Sequence, residues 1–408
     1  MKIFKRLLLI LLIFILITGT VGYFYELRPN NIQAFWTNIT SRLFAAKDTF
    51  TVTPDTTTVI AKHSTPDKKT KSNPVPVKET IEFQPLPINP FATIDKHARN
   101  CPKSEEQSIE TLATYLRQNA TSDLEMARSI YIWLTKNIRY DDAGFNSNKD
   151  RDYTAEGVLK SRKAVCEGFS NLFYALGKQM NLQIEKVTGY SKGYGYSIGQ
   201  KFSDTDHAWN VINVNGQWRV FDATWGQGNG KSVNGKFVSR KDYDNYWFNV
   251  NPHEAIFSHM PQNKKFLYVQ PTIDLKTFEN FPYIEKAYFE VGFDGTTTYR
   301  SVYDNRSLQF PICYALSTHL KIATAPKYNS LELNKPYNFE LYVPRGISVA
   351  AIDSKNTWTY FDMDKGKFKL TYTPSETGEL SISVKYEKGG KSYYTVLTYN
   401  VKTAKTNA

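Results

Sequence analysis

His207-Ala-Trp-Asn-Val-Ile-Asn-Val214, then Asn215-Gly216, then Gln217-Trp-Arg-Val-Phe-Asp-Ala-Thr224 reads as two β-strands joined by a tight hairpin. Asn-Gly is the strongest two-residue hairpin signal, because both positions tolerate the positive φ that such a turn needs. With Asn215 and Gly216 as the loop, Val214 faces Gln217 and the numbers of opposed residues sum to 431. Trp209 then opposes Asp222, and His207 opposes Thr224. Side chains alternate with a period of two, so these four share one face, and His207 and Asp222 are diagonal neighbours within reach of a side-chain hydrogen bond. A carboxylate that orients an imidazole and stabilises its cationic form is what a nucleophilic cysteine site requires.

Upstream, residues 105–118 and 122–138 carry helical spacing, the second opened by a capping box over Ser122 to Glu125. Phe169, Leu172, Phe173, Leu176 and Met180 then recur at i, i+3, i+4, i+7 and i+11, so a helix starts close to Cys166 and buries one face. Unpaired N–H groups and the macrodipole at a helix amino terminus stabilise a thiolate, and the thiolate is the nucleophile. A single cysteine beside an apolar helix is more often a small core residue. The downstream His–Asp pair is what sets Cys166 apart, although contact between Cys166 and His207 is tertiary and no spacing shows it.

The runs Ala164-Val-Cys166-Glu-Gly-Phe, Asp206-His207-Ala-Trp-Asn-Val and Val220-Phe-Asp222-Ala-Thr-Trp-Gly226 together resemble the three-part signature of the transglutaminase-like superfamily. Tyr246 to Pro261 resembles the segment that comes after this domain in the kyphoscoliosis-peptidase-like branch. Two positions depart from the pattern: Ala164 where Gly is common before Val-Cys, and Ala223 where Pro commonly succeeds the Asp. The resemblance implies a papain-like α+β core with Cys166 as nucleophile, His207 as base and then acid, and Asp222 as the orienting group. It implies acyl transfer on the amide bonds of a protein or peptide substrate, with no metal and no cofactor. Water as acceptor makes a peptidase or deamidase; a lysine amine makes a crosslinking enzyme. Trp209, Trp133 and Tyr194 are candidates to line the substrate groove, Tyr194 from the stretch that holds Gly193, Gly195 and Gly199. A non-catalytic scaffold that binds envelope proteins through the same fold is the rival expectation.

The flanks set the organisation. Met1 to Arg6 carries Lys2, Lys5 and Arg6, and Leu7–Tyr25 runs for nineteen residues without a charge. At 1.5 Å per residue that is about 28 Å of helix, enough to span a bilayer. The positive-inside rule sends the rest of the chain outside, so residues 1–28 are expected to be an uncleaved transmembrane anchor, favoured over a cleaved signal, with the catalytic part extracytoplasmic. Residues 29–92 form a Pro-rich linker: residues 46–90 hold seven of the eighteen prolines. The catalytic domain spans 93–265, a β-rich connector 266–334, and a β-sandwich of immunoglobulin-like type 335–408, where short alternating strands and turns recur.

Of the net charge of +12, residues 1–80 contribute eleven Lys and Arg against five Asp and Glu, and no recognition motif accompanies it. That argues against a nucleic-acid partner. Three cysteines exclude a disulfide scaffold; Cys101 and Cys313 are open to pairing or to remaining free thiols. His253 and His259, six apart with no cysteine near, lack metalloprotease spacing.

Overall fold

Asn215 at φ 52° and Gly216 at φ 81° take the positive dihedrals of a tight hairpin, and Val214 pairs with Gln217 as expected. The computed structural model describes residues 62–63, 89–147, 151–314, 320–364, 367–387 and 390–404. The expected anchor and nearly all of the Pro-rich linker lie outside these residues. Among the described residues no helix is long and apolar enough to cross a membrane.

Three helices come first, α1 (Ala92–Arg99), α2 (Ile109–Arg117) and α3 (Asp123–Asn137). The full capping box opens α2, from Ser108 and Thr111. At α3 only half of the expected box forms, because Glu125 turns back to the Thr121 amide and hydroxyl instead of the Ser122 N–H. β1 (Arg139–Tyr140) pairs in parallel with β2 (Lys163–Ala164), with helices α4 (Asp142–Ser147) and α5 (Ala155–Ser161) between them.

Helix α6 (Cys166–Gln179) then buries Phe169, Leu172, Phe173 and Leu176. Next come strands β3 (Ile184–Ser191), β4 (His207–Val214) and β5 (Gln217–Phe221), then α7 (Ala223–Gln227) and the hairpin of β6 (Gly228–Val233) and β7 (Lys236–Lys241). Short helix α8 (Pro252–Ala255) leads into β8 (His259–Pro261). The sheet order is β5-β4-β3-β8, antiparallel throughout. β4 is central and buried on both faces, which its apolar run anticipates. α3, α6 and this sheet share one apolar core running from Ala98 to Ala255. Ala223 and Thr224, expected on the returning strand, are instead helical, because Asp222 ends β5 and caps α7.

A second core begins at Ile256 and runs to Val401. The structure corrects the expectation that residues 266–334 are β-rich. Helices α9 (Leu275–Glu279), α10 (Lys286–Glu290) and α11 (Gly295–Asp304) occupy much of that stretch, two of them capped by Asp274 and Asp294. Their apolar residues, Phe278, Tyr288 and Tyr299 among them, share the core of the sandwich. The strands that remain there, β9 (Ile312–Cys313), β10 (Lys321–Thr324) and β11 (Ser330–Glu332), complete it.

The sandwich itself has one sheet of β12 (Tyr337–Tyr342), β16 (Lys367–Tyr372), β15 (Asp362–Asp364) and β10. The other is built on β13 (Gly346–Ile352), β14 (Trp358–Tyr360), β17 (Gly378–Tyr386) and β18 (Tyr393–Lys402), joined by β9 and β11. Lys62–His63 adds a two-residue strand to β18. Phe339 meets Tyr399 across the interior at 5.7 Å, so the two sheets face each other over one core.

Asp95 and Arg128 tie α1 to α3. The guanidinium donates from Nε at 2.6 Å and from a terminal nitrogen at 2.8 Å, both groups nearly buried, with Phe91 and Phe248 over its faces. Removing one partner leaves the other charge in an apolar site. Asp95→Ala is expected to cost about 3–5 kcal/mol of stability in denaturant unfolding. An unchanged unfolding midpoint would show that the pair does not hold these helices together.

Candidate active site

Val165 is extended (φ −88°, ψ −178°) and offers no side-chain cap, so Cys166 occupies the first position of α6 with the opening N–H groups of the helix unpartnered by any capping side chain. Close seating of this turn depends on Gly168. A Cβ there would fall 2.8 Å from both the Ala164 Cβ and the Val158 Cγ2. Cys166 is half-buried, and its thiol lies near enough to the His207 imidazole to favour the charged form of that ring.

His207 opens β4, and Asp222 stands just past the end of β5, as the hairpin register requires. Asp222 is fully buried. Its Oδ1 accepts the amides of Thr224 at 2.8 Å and Trp225 at 3.0 Å, and its Oδ2 accepts from His207 Nε2 at 2.7 Å. A second histidine, His259 from β8, donates its Nε2 to the same oxygen at 3.1 Å. Burial works against a charge on Asp222, but the two histidines outweigh it and hold the carboxyl well below its ordinary range. The carboxylate is therefore an acceptor only, which fixes a proton on each Nε2 and leaves His207 Nδ1 toward the thiol.

Burial likewise opposes a charge on His207; the Asp222 charge and hydrogen bond, with Cys166 adding to them, raise it to about 10. His259 goes the other way. Burial and the charge of His207 lower it despite Asp222, so it sits neutral, with its Nδ1 receiving the Ser258 hydroxyl at 2.8 Å. Trp225 stacks on His207 at 5.3 Å, and Trp209, Trp225 and Trp247 surround His259 at 4.4–5.0 Å. Gly193 lies against Trp225, where a Cβ would come within 2.5 Å of the indole, so the glycine-rich loop borders the site. This aromatic wall keeps water from the charges, and every electrostatic interaction behind it is stronger for that.

The residues that the sequence nominates divide accordingly. Cys166, His207 and Asp222 come together. Tyr194 is half exposed at the rim. Trp133 is corrected: fully buried in α3, it donates to Glu106 at 3.0 Å under the Arg162 guanidinium and lines no groove, because its face of the helix is the core face. Trp209 is also buried, packed between His207 and His259 and not exposed to a groove. Sequence spacing sets His259 only beside His253, which instead lies against Tyr299 at 5.3 Å. No local signal marks His259 for the site, since only the pairing of β8 with β3 brings it to Asp222. All three cysteines are free; burial, with Glu106 and Glu105, pushes the Cys101 thiol up to about 12.

His207, Asp222 and His259 bring three potential metal-ligand atoms within 4.8 Å of one another. Their mutual hydrogen bonds use the same lone pairs and nitrogen positions, so holding an ion and orienting His207 exclude each other.

The fold is that of a transglutaminase-type α+β core, with Cys166, His207 and Asp222 grouped at one point in it. Residues 110–223 match the Transglutaminase-like superfamily, and in this region the chain is similar to kyphoscoliosis peptidase and its relatives. Human kyphoscoliosis peptidase is 31% identical over 216 residues, covering 53% of this chain and 32% of that protein. Hillarin of Drosophila melanogaster is 28% identical over 236 residues, covering 54% and 28%. The chain thus spans about a third of the length of the curated relatives it matches. A TGase crystal structure aligns over 33% of this chain and 36% of its own at 17% identity and a TM-score of 0.24.

His207 is raised above the ordinary histidine value of about 6.5, so its contribution is complete below that pH and fades as pH climbs toward 10. Asp222 is lowered, so its contribution is present above the ordinary aspartate value of about 3.9 and is lost as pH falls below it. The Tm advantage of the unsubstituted chain over His207→Gln is therefore expected to be largest near pH 5–6 and to shrink by pH 10 in thermal melts. A difference that stays flat across that range would contradict the buried ion pair.

Proposed function

We propose that this chain is a cysteine acyltransferase or peptidase that acts on amide bonds of polypeptides. What carries the reading is the seating of Cys166 at an uncapped helix amino terminus, near a His207 that Asp222 holds by a 2.7 Å hydrogen bond behind an aromatic wall. In the reaction the Cys166 sulfur bonds to the amide carbonyl carbon, and the negative charge passes to the carbonyl oxygen. The first-turn N–H groups of α6 are placed to receive that oxyanion. As the C–N bond breaks, His207 Nδ1 gives its proton to the departing amine and an acyl-enzyme remains. His207 then takes a proton from water or from a second amine as it attacks, and the thiolate leaves. Asp222 stays ionised throughout; its two backbone N–H bonds and His259 hold it while the charge on His207 comes and goes.

We further propose that the catalytic part stands outside the cytoplasm on an anchor formed by residues 1–28, a reading supported by the basic tip and the nineteen uncharged residues after it. Protease added to intact and then to permeabilised cells tests it: degradation only after permeabilisation would refute an outside location.

Iodoacetamide is expected to alkylate Cys166 faster than a denatured-state thiol near neutral pH, with His207→Gln removing that advantage. With an unfolded protein and a primary-amine probe, intact-mass analysis is expected to show backbone fragments or amine adducts. Both should be absent in Cys166→Ala and reduced about 10²–10⁴-fold in His207→Gln. Equal products from the unsubstituted chain and Cys166→Ala would overturn the reading.

A further inference from the structure

The parallel ladder of β1 and β2 sets Arg139 directly opposite Lys163 and Tyr140 opposite Ala164, two residues before the nucleophile. Lys241, at the end of β7, joins them around a cavity of about 500 Å³ walled also by Tyr140, Asp141 and Asp142. The two wall carboxylates are already engaged. Asp141 takes Arg151 at 3.1 Å, the Tyr153 hydroxyl at 3.2 Å and the Gly144 amide at 3.0 Å, and Asp142 takes the Ser239 amide at 3.1 Å. Arg139, Lys163 and Lys241 make no ion pair among the described residues. Like charges placed opposite each other in a ladder repel. Burial, with the neighbouring charges of Arg139 and Lys136, also presses the Lys241 ammonium below its ordinary value. Lys241 already donates to the Lys136 carbonyl; an anion in the cavity would offset Arg139 and Lys163, and a guanidinium fork beside an ammonium group suits a carboxylate.

The surroundings narrow the kind of anion. Tyr140 is both a wall of the cavity and the first ring of an aromatic rim: it meets Phe237 at 5.2 Å and Phe145 at 5.9 Å, and Tyr194 closes the row against Phe237 at 4.6 Å. Phe145 is 46% and Tyr194 50% exposed. The rim is held in place, since Asn146 and the Phe237 backbone exchange hydrogen bonds of 2.8 and 2.9 Å. An inorganic anion would use the cavity alone, whereas a polypeptide can set a carboxylate in the cavity and a large apolar side chain on the rings.

We propose that the cavity and rim together form a substrate subsite for a polypeptide segment that carries an acidic residue beside an aromatic or large aliphatic one, delivered next to Cys166. The proposal rests on the reading of Cys166 as the nucleophile, and its test is built to fail separately from that reading. The full chain bearing Cys166→Ala, which needs no turnover, is titrated with fluorescent peptides of matched composition: acidic-aromatic, acidic without aromatics, and Lys-for-Glu aromatic.

Preference for the acidic-aromatic peptide by at least about tenfold over each of the others is expected, falling as salt rises. Adding Arg139→Glu with Lys163→Glu should reverse the charge preference. Adding Arg139→Gln with Lys163→Gln should abolish it without reversal, which separates loss of charge from misfolding. Equal affinity for acidic and basic peptides, or a preference that survives the double reversal, would overturn the subsite. Equal binding of the acidic peptide without aromatics, fully displaced by inorganic phosphate, would reduce it to a small-anion site and overturn the polypeptide part. Selective binding without any turnover by the unsubstituted chain would instead count against the catalytic reading alone.

Discussion

Asp222 is a fully buried carboxylate that accepts four hydrogen bonds, two from the backbone of the helix it caps and two from histidines. A lone anion in that position would be too costly to keep ionised, so the fold must supply every one of those donors. The consequences run outward. The cap fixes where β5 stops and α7 begins, the bond to His207 fixes which imidazole nitrogen faces the thiol, and the bond from His259 requires β8 to lie along β3. The indoles of Trp209, Trp225 and Trp247 close the space around this network and keep it dry.

His259 is also the point at which the two cores communicate. β8 comes just after the boundary between them: Met260 belongs to the second core, while His259 reaches back to a carboxylate of the first. The helical segment 275–304 belongs to that second core, and the buried Lys192 just beyond β3 donates to the Phe281 carbonyl and lies over the Phe278 ring. The candidate site is thus braced from the carboxyl-terminal side, which gives the sandwich a structural role whatever it binds.

The helix terminus supplies the complementary half. Gly168 lets α6 sit against β2, and the same β1–β2 ladder that seats Cys166 lines up the cations and the first ring of the rim. One short parallel pair therefore sets both the position of Cys166 and the character of the surface beside it. Selection for an acidic partner would come from that placement, because Arg139 and Lys163 have no other carboxylate within ion-pair distance among the described residues.

Much of the site is legible in the sequence because its signals are local. Asn215-Gly216 admits one register, and that register carries His207 to Asp222; the apolar spacing from Phe169 to Met180 places Cys166 on the first turn of its helix. The strands of 335–408 are legible for the same reason, since alternation along a strand is written in neighbouring residues. Residues 266–334 mislead because their apolar residues serve the core of another segment, so no short-range period distinguishes helix from strand there. Trp133 suggests a groove because a large aromatic on an amphipathic helix looks the same whether its face meets core or cleft. The sequence by itself determined the hairpin, the helix start and the identity of the three grouped side chains. Only tertiary packing decided that Cys166 meets His207, that a second histidine completes the shell of Asp222, and that three cations and four rings gather beside the thiol. Those contacts join segments far apart in the chain, and burial and charge balance, not spacing, select them.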